Sequence, residues 1–347
     1  MPTLSELFTL QGLRTLPPRA RRRLAAETRR IAALGISRFP WAKMRLERLS
    51  FELSLLVADD DAAVYGARYY GAGRNPHCRE GASGYERYDR TSSHANEAAY
   101  LLWRYFRAQS ALDVGCAFGF TVEALRELGI DSKGCDFSAF AVNHAPASVR
   151  NHLFFGDLSG RLPFGERSFD LVSAFETLEH LPPPLVPPAV SELFRVTGGF
   201  LVATIPSFGP NEHGPAGWFE GKVRQSALER YKALGPDYPG PIPEEDLARD
   251  DRGRPLEGHL TIASFAWWRS KFEEAGFIHA PEMEAPLYRD IERFGLLGAW
   301  NLYVFRRPDA DVPPPDLRSR TEIVEVERRW RLPPPRSTSE LGVQDDR

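Results

Sequence analysis

Apolar segments of strand length alternate with segments of helical periodicity through residues 95–206. Strands are predicted at residues 111–114, 132–136, 152–155, 169–175 and 199–205. Helices are predicted between them at residues 98–106, 121–128, 140–148 and 188–196. Because parallel strands need crossover connections, this alternation indicates an α/β fold whose doubly wound sheet is covered by helices on both faces.

The alternation of predicted strands and helices stops at residues 207–257, which are rich in glycine, proline and charged residues. We interpret this segment as an insertion after the fifth strand that forms a lid over the site. A helix is then predicted at residues 264–275, and apolar segments at 277–279 and 301–305 are expected to close the sheet as an antiparallel pair. The prediction is therefore a mostly parallel, seven-stranded sheet.

The predicted domain boundaries follow from these changes of pattern. Residues 1–94 form an N-terminal helical extension with substrate-side loops, and residues 95–206 and 258–307 form the main domain. Residues 308–347 form a proline-rich tail, expected to be peripheral with at most one short helix near 321–330. An arginine-rich amphipathic helix is predicted at 16–35. We interpret its basic face as exposed to solvent and not as a contact for an acidic partner or a membrane.

Charge and cysteine content restrict the partners and the compartment. A net charge of -3 over 347 residues supplies no basic field, so nucleic acid is not an expected partner. The three cysteines, Cys78, Cys116 and Cys135, contain no C-x-x-C pair and favour a reducing compartment. Since the sequence shows neither a signal peptide nor a membrane span, we expect a cytoplasmic protein that does not bind membranes.

The segment Asp113-Val114-Gly115-Cys116-Ala117-Phe118-Gly119 follows a predicted strand and opens a predicted helix. Small residues at 115, 117 and 119 allow the backbone to turn tightly and to approach a ligand. The helix N-terminus offers N–H groups to a polar or anionic ligand group. Such a turn indicates a nucleotide-type site, although by itself it is equally a tight strand-to-helix connection.

Two acidic residues stand where a nucleoside ligand would need contacts. Asp136 ends the next strand, where a carboxylate can accept hydrogen bonds from both ribose hydroxyls. Asp157 follows the third strand and can accept from an adenine amino group, with the backbone of Leu158 beside it. Either acid alone is more often a strand-end or capping residue, but both in register with the turn favour a nucleoside site.

These motifs resemble the class I S-adenosylmethionine-dependent methyltransferases, especially small-molecule enzymes of the ubiquinone-biosynthesis and sugar O-methylating type. The resemblance also rests on Phe175-Glu176-Thr177-Leu178-Glu179-His180-Leu181 and on residues 194–200, and it departs at Ala117, where glycine is usual. It implies a Rossmann-like methyltransferase fold with S-adenosylmethionine as cofactor. The cofactor-binding residues that it implies are Asp113, Gly115, Cys116, Ala117, Gly119, Asp136, Phe137, Asp157, Leu158 and Phe175.

Two other functions remain open at this point. A nicotinamide-dependent oxidoreductase also uses a glycine turn and a ribose acid, but its third glycine would fall at position 120, which is Phe120. A catalytically silent methyltransferase-like binding protein would keep the fold, but the intact acids Asp113, Asp136 and Asp157 argue against decay of the cofactor site. Methyl transfer is the favoured function.

His180 is the first candidate for a general base, because it follows the carboxyl end of the fourth strand. In some sugar O-methyltransferases a histidine of the similar segment has this role, and an orienting role is the alternative. Glu212-His213 and His259 are second candidates by position, with exposed loop residues as the alternative. The histidines and acids show no metal-ligand spacing, so no metal is predicted, although some sugar methyltransferases use magnesium through dispersed carboxylates.

Aromatic residues in and after the insertion suit a sugar ring or a flat natural product, although half or more are expected to pack in the core. They are Trp218, Phe219, Tyr231, Tyr238, Trp267 and Trp268. The expected acceptor is a hydroxyl of a sugar or glycosylated natural product, with N- or C-methylation as the alternative. The sequence does not determine the acceptor atom or the oligomeric state.

Overall fold

The computed structural model describes residues 65, 88–209, 220–234, 240–249, 255–296, 301–314 and 317–333. Its strands are β1 (Ser110–Val114), β2 (Asp131–Asp136), β3 (Leu153–Phe155), β4 (Phe169–Phe175), β5 (Thr197–Thr204), β6 (Ser207–Phe208), β7 (Ala263–Ser264), β8 (Ile278–His279) and β9 (Leu302–Arg306). Its α-helices are α1 (Ala95–Tyr105), α2 (Phe120–Glu127), α3 (Ala139–His144), α4 (Val186–Val196), α5 (Gln225–Leu234), α6 (Phe265–Glu274), α7 (Pro281–Phe294) and α8 (Arg320–Trp330).

Seven of these strands form one sheet in the order β3-β2-β1-β4-β5-β9-β8. Strands β1 to β5 are parallel to one another, whereas β9 runs antiparallel to both β5 and β8. The predicted α/β fold with a mostly parallel, doubly wound sheet of seven strands is therefore confirmed. The strand order reverses beside β1, so the carboxyl ends of β1, β2 and β4 border the crevice where ligands bind in such sheets.

Both faces of the sheet are buried, which explains the apolar runs in its central strands β4 and β5. Along β5, Leu201 and Ala203 belong to one core, while Phe200 and Val202 belong to the other. The first core also takes in residues of α4 and α6, and the second takes in residues of α1, α7 and α8. Because successive side chains of a strand point to opposite faces, a sheet covered on both sides needs apolar residues at nearly every position.

Proline accounts for the places where the elements differ from expectation. Helix α3 ends at His144 and not at residue 148, because Ala145 precedes Pro146 and adopts an extended backbone. The 14-residue helix α7 was not predicted, since Pro286 lies in its interior and interrupts the helical pattern. The helix expected at 321–330 is present as α8 and begins with a capping box formed by Ser319 and Glu322.

The insertion and the tail both contain packed structure. Within 207–257 the described residues include helix α5, and a small core joins them to Ile262. The described part of the tail packs against the main domain, because Val326 and Leu332 are buried in the core that contains α1. The N-terminal helix predicted at 16–35 lies outside the described residues. Within the described segments, no helix has the length and apolar composition needed to cross a membrane.

Candidate functional site

The turn between β1 and α2 is left-handed at three positions. The φ angles are 73° at Gly115, 47° at Ala117 and 74° at Gly119, which is the N-cap of α2. At Gly115 a Cβ atom would lie 2.1 Å from Oγ1 of Thr177, so only glycine fits there without displacing the loop after β4. Ala117 holds the left-handed conformation despite its side chain, which is a local strain of the kind concentrated at functional sites.

Asp136 connects this turn to the end of β2. Its Oδ2 accepts a hydrogen bond from the N–H of Ala117 at 2.7 Å, and its Oδ1 accepts from the N–H of Ser138 at 2.6 Å. Burial raises the pKa of the Asp136 carboxyl to about 6, although the two N–H bonds act in the opposite direction. The carboxylate thus fixes the turn and lies on the wall of the cavity described below.

Asp113 forms a second buried acid next to the first. Its Oδ1 accepts a hydrogen bond from the hydroxyl of Ser173 at 2.7 Å. Burial raises the pKa of Asp113 to about 7, the bond from Ser173 lowers it, and the charge of Asp136 raises it further. Two buried carboxyls at the ends of β1 and β2 make this edge of the sheet suited to a ligand that donates hydrogen bonds or carries positive charge.

Asp157 follows β3 in a short loop. Its Oδ1 accepts from both the N–H and the hydroxyl of Ser159, at 2.9 and 2.6 Å, and the side chain of Leu158 is buried beside it. The loop is thus held by its own hydrogen bonds, with Asp157 on the cavity wall.

A cavity of about 810 Å³ joins these residues at the carboxyl edge of the sheet. Nine of the ten residues predicted to bind cofactor line it: Asp113, Gly115, Cys116, Ala117, Asp136, Phe137, Asp157, Leu158 and Phe175. Gly119 is not among the lining residues, and a Cβ at this position would lie 2.7 Å from the side chain of Leu153. Lining residues with no individual signal in the sequence are Tyr65, Tyr88, Ser92, Ser93 and His94.

Helices α1 and α7 supply an apolar wall to the same cavity. Leu101 and Leu102 come from α1, Leu287 and Ile291 come from α7, and Leu296 follows α7. A volume of this size is near the upper end of ordinary small-ligand sites, which span roughly 300–1,000 Å³. The cavity can therefore receive a second molecule beside a nucleoside ligand.

Four polar side chains form a group at the cavity, here called the histidine cluster: Tyr65, Glu179, His180 and His259. The Nε2 atoms of His180 and His259 lie 3.9 and 3.8 Å from Oε1 of Glu179. The Nδ1 atom of His180 lies 3.1 Å from the carbonyl oxygen of Gly258 and 3.2 Å from the hydroxyl of Tyr65. Tyr65, His180 and His259 line the cavity, and Glu179 is fully buried behind them.

Backbone hydrogen bonds bring the two halves of the histidine cluster together. The N–H groups of Leu260 and Thr261 donate to the carbonyl of Glu179, and the hydroxyl of Thr261 donates to the carbonyl of Leu181. Burial lowers the pKa of His259 well below its usual value, and the charges of His180 and Lys222 act in the same direction. His259 is therefore a neutral imidazole at neutral pH.

The remaining candidates from the sequence either lie outside the described residues or pack in the cores. Glu212, His213, Trp218, Phe219 and Tyr238 lie outside the described residues. Tyr231 and Trp268 are buried in packed cores, and Trp267 packs against the core that contains Trp268. Among the described residues, the aromatic side chains on the cavity wall are Tyr65, Tyr88, Phe120, Phe137 and Phe175. The expectation that aromatic residues after the insertion contact the acceptor therefore has no support from Tyr231, Trp267 or Trp268.

Residues 112–203 match the family model described as "Methyltransferase domain". Among solved structures, a complex from Haloferax volcanii between the Trm112 methyltransferase activator and a methyltransferase is similar at 19% identity, over 62% of this chain and 89% of that chain, with a TM-score of 0.38. Magnesium protoporphyrin IX methyltransferase from Synechocystis with bound S-adenosylhomocysteine is similar at 16% identity, over 63% and 84%, with a TM-score of 0.38.

An S-adenosylmethionine-dependent methyltransferase from Archaeoglobus fulgidus is similar at 14% identity, over 63% of this chain and 93% of that chain, with a TM-score of 0.38. No curated protein matches the sequence.

The domain match falls on β1 to β5, the part of the sheet that carries the glycine turn and both strand-end acids. The fold and the domain match therefore identify a methyltransferase domain of the doubly wound α/β type within the chain. The domain match supports an enzyme, with S-adenosylmethionine as the cofactor. The nicotinamide alternative is set aside, and Phe120, which stands where its third glycine was expected, is the first residue of α2.

Proposed function

We propose that the protein transfers the methyl group of S-adenosylmethionine to a hydroxyl of a small-molecule acceptor, a sugar or glycosylated natural product. The observation that carries the proposal is the histidine cluster, which shares one cavity with the glycine turn and the strand-end acids. A hydroxyl is a weak nucleophile while it keeps its proton, so its methylation benefits from a proton acceptor in the site. S-adenosylmethionine supplies an electrophilic methyl group when bound.

In this proposal the strand-end residues hold the cofactor. Asp136 accepts hydrogen bonds from the ribose hydroxyls, and Asp157 accepts from the adenine amino group, with the backbone of Leu158 beside it. The N–H groups at the start of α2 and the turn at Gly115 and Ala117 face the polar end of the ligand. Positioning of the acceptor in line with the methyl group supplies much of the rate acceleration.

The apolar wall from α1 and α7 supports an acceptor with an apolar part, such as a glycosylated natural product, over a bare sugar. Leu101, Leu287 and Leu296 offer no hydrogen-bonding groups, whereas an unsubstituted sugar needs polar partners around its whole ring. The lid over the acceptor, assigned to residues 207–257, belongs to the proposal as well. None of the described residues of that segment lies on the cavity wall, so a lid contact would come from its remaining residues, among them His213.

The test is incubation of the protein and S-adenosylmethionine with sugar nucleotides, glycosides and phenols, followed by mass detection of an added methyl group. A panel of amines and activated carbon acids run in parallel decides between O-, N- and C-methylation. Methylation of an amine or carbon with no hydroxyl product would overturn the proposal. Cofactor binding without turnover on any acceptor would favour the silent binding protein.

For an accepted hydroxyl substrate, His180→Ala should lower kcat by about a hundredfold or more, the range of general acid–base contributions. S-adenosylhomocysteine affinity should stay within a few-fold, since the strand-end acids are untouched. The control is His144→Ala, which alters an exposed histidine stacked on Phe140. Equal kcat values for the two variants would remove His180 from the reaction.

A further inference from the structure

Glu179, His180 and His259 come from two distant segments, and each directs a metal-ligating atom toward the others. Their donor atoms all lie within 4.8 Å of one another. The spacing in the sequence concealed this set, because His259 follows His180 by nearly eighty residues and no short ligand motif is formed. The backbone bonds from Leu260 and Thr261 to Glu179 hold the two segments in register before any ligand arrives.

The hydrogen bond to Gly258 determines which nitrogen of His180 can bind a cation. We assign the hydrogen of His180 to Nδ1, because the carbonyl oxygen of Gly258 at 3.1 Å can only accept and the hydroxyl of Tyr65 at 3.2 Å can accept as well. In a neutral imidazole this leaves the lone pair on Nε2, the atom that lies 3.9 Å from the Glu179 carboxylate. An Nδ1–H bonded to a backbone carbonyl is the usual way in which a metal-ligating histidine is oriented.

The lone pair of His180 and the carboxylate of Glu179 are both electron-rich, and 3.9 Å is too long for a hydrogen bond between them. The 3.8 Å between Nε2 of His259 and the same carboxylate oxygen is also too long for a hydrogen bond. A cation among the three donor atoms would interact favourably with each of them, most strongly with the carboxylate of Glu179, which is fully buried. We infer that Glu179, His180 and His259 form a binding site for a divalent transition-metal ion, such as Zn²⁺ or Mn²⁺, in the acceptor part of the cavity.

The donor set selects the class of metal. Two imidazole nitrogens and one carboxylate oxygen suit Zn²⁺ and Mn²⁺, whereas Ca²⁺ takes six to eight oxygen ligands and Mg²⁺ prefers oxygen and water. Ligands about 2.1 Å from a tetrahedral zinc ion lie roughly 3.4 Å apart. The two contacts with Glu179 must therefore close by about half an ångström on binding. Because His180 and His259 line the cavity, the remaining coordination positions face the acceptor.

The role of the ion rests on the proposed function, whereas its binding does not. A cation next to the acceptor hydroxyl lowers the pKa of that hydroxyl, and the proton passes to water. The oxygen then attacks the methyl carbon, so that a carbon–oxygen bond forms while the carbon–sulfur bond breaks. The products are the methyl ether and S-adenosylhomocysteine. His180 would in that case act as a ligand and not as the proton acceptor.

The test measures metal binding alone, on the full chain after treatment with a chelator. Calorimetry with Zn²⁺ and Mn²⁺ should show one equivalent bound, with Mg²⁺ much weaker. Glu179→Gln and His259→Ala should each weaken Zn²⁺ binding at least tenfold. The matched control is His279→Ala, because His279 and Glu284 form a directly bonded pair at 2.8 Å elsewhere in the fold. This variant should bind as the wild type does.

Folding of each variant is checked by its S-adenosylhomocysteine affinity, and pulsed electron paramagnetic resonance of the Mn²⁺-loaded wild type needs no variant. Couplings to two histidine nitrogens are expected. Zn²⁺ binding that is absent from the wild type, or unchanged in Glu179→Gln and His259→Ala, would overturn the site. One bound ion together with undiminished methyl transfer in the metal-free enzyme would refute its catalytic role alone. One bound ion without methylation of any hydroxyl would support the site and overturn the proposed acceptor.

Discussion

Gly115 lies in the turn between β1 and α2, where this turn contacts the loop after β4. Glycine is required there for two separate reasons: its φ is 73°, and an added Cβ would lie 2.1 Å from Thr177. Gly115→Ala should lower the free energy of unfolding by more than the roughly 1–2 kcal/mol of the left-handed backbone alone. It should also weaken S-adenosylhomocysteine binding about tenfold or more, a loss of about 1.4 kcal/mol, because Thr177 or the turn must move. Denaturant unfolding and calorimetry measure the two effects.

Gly129→Ala is the matched control, because Gly129 has a φ of 84° but no atom within 4 Å of the added Cβ. It should show the backbone cost and an unchanged ligand affinity. If both variants lose stability and affinity equally, close packing against Thr177 is not what restricts the turn.

The ends of β1 and β2 carry the buried acids, and their titration links stability to ligand binding. The unfolded chain releases these protons near pH 4, whereas the folded Asp136 and Asp113 release them at about 6 and about 7. The stability contributed by the neutral carboxyls is therefore present below pH 4 and is lost as the pH rises to about 7. In the proposed site the ribose hydroxyls donate to an ionised Asp136, so ligand binding would oppose that loss.

We therefore expect S-adenosylhomocysteine to bind about tenfold more weakly at pH 5 than at pH 7, since affinity falls tenfold per unit below the pKa of a group that must be ionised. Calorimetry across this range measures the effect. Asp131→Ala, at the exposed amino end of the same strand β2, should give the same curve as the wild type. Affinity independent of pH would contradict the ribose contact of Asp136.

Helix α8 of the tail forms hydrogen bonds to both α1 and α7, the two helices that form the apolar wall of the cavity. Glu327 of α8 accepts hydrogen bonds from the hydroxyl of Tyr100 in α1, at 2.5 Å, and from Nη1 of Arg293 in α7, at 2.9 Å. Glu327→Ala removes the acceptor from a nearly buried guanidinium, so it should lower the free energy of unfolding by roughly 1–3 kcal/mol. Thermal unfolding measures this loss, which corresponds to several degrees in Tm.

Glu325→Ala alters an exposed residue of the same helix and should leave Tm almost unchanged. Ligand affinity should stay within a few-fold in both variants, because neither residue lies on the cavity wall. Equal Tm values for the two variants would show that the tail does not brace α1 and α7.

Local sequence was sufficient to predict the main sheet strands and the glycine turn between β1 and α2. The central strands β1, β4 and β5 contain short apolar runs that are visible in the sequence, and the terminal pair 277–279 and 301–305 followed the same logic. Helices α5 and α7 were missed, because α5 lies in a segment of glycine, proline and charge, and α7 contains Pro286. Packing against α1 and the sheet stabilises α7 despite its proline.

The proposed cofactor site is encoded in contiguous segments, since Gly115, Asp136 and Asp157 each follow a strand or end one, and the carboxyl ends of these strands meet at one edge of a parallel sheet. Their common position on the cavity wall could thus be expected from strand order alone. The acceptor end has no such encoding. Tyr65, Glu179, His180 and His259 meet because the chain returns to the sheet after the insertion and forms backbone bonds between residues 260–261 and Glu179. Contacts of this kind depend on the path of the chain in three dimensions, which leaves no spacing in the sequence to indicate them.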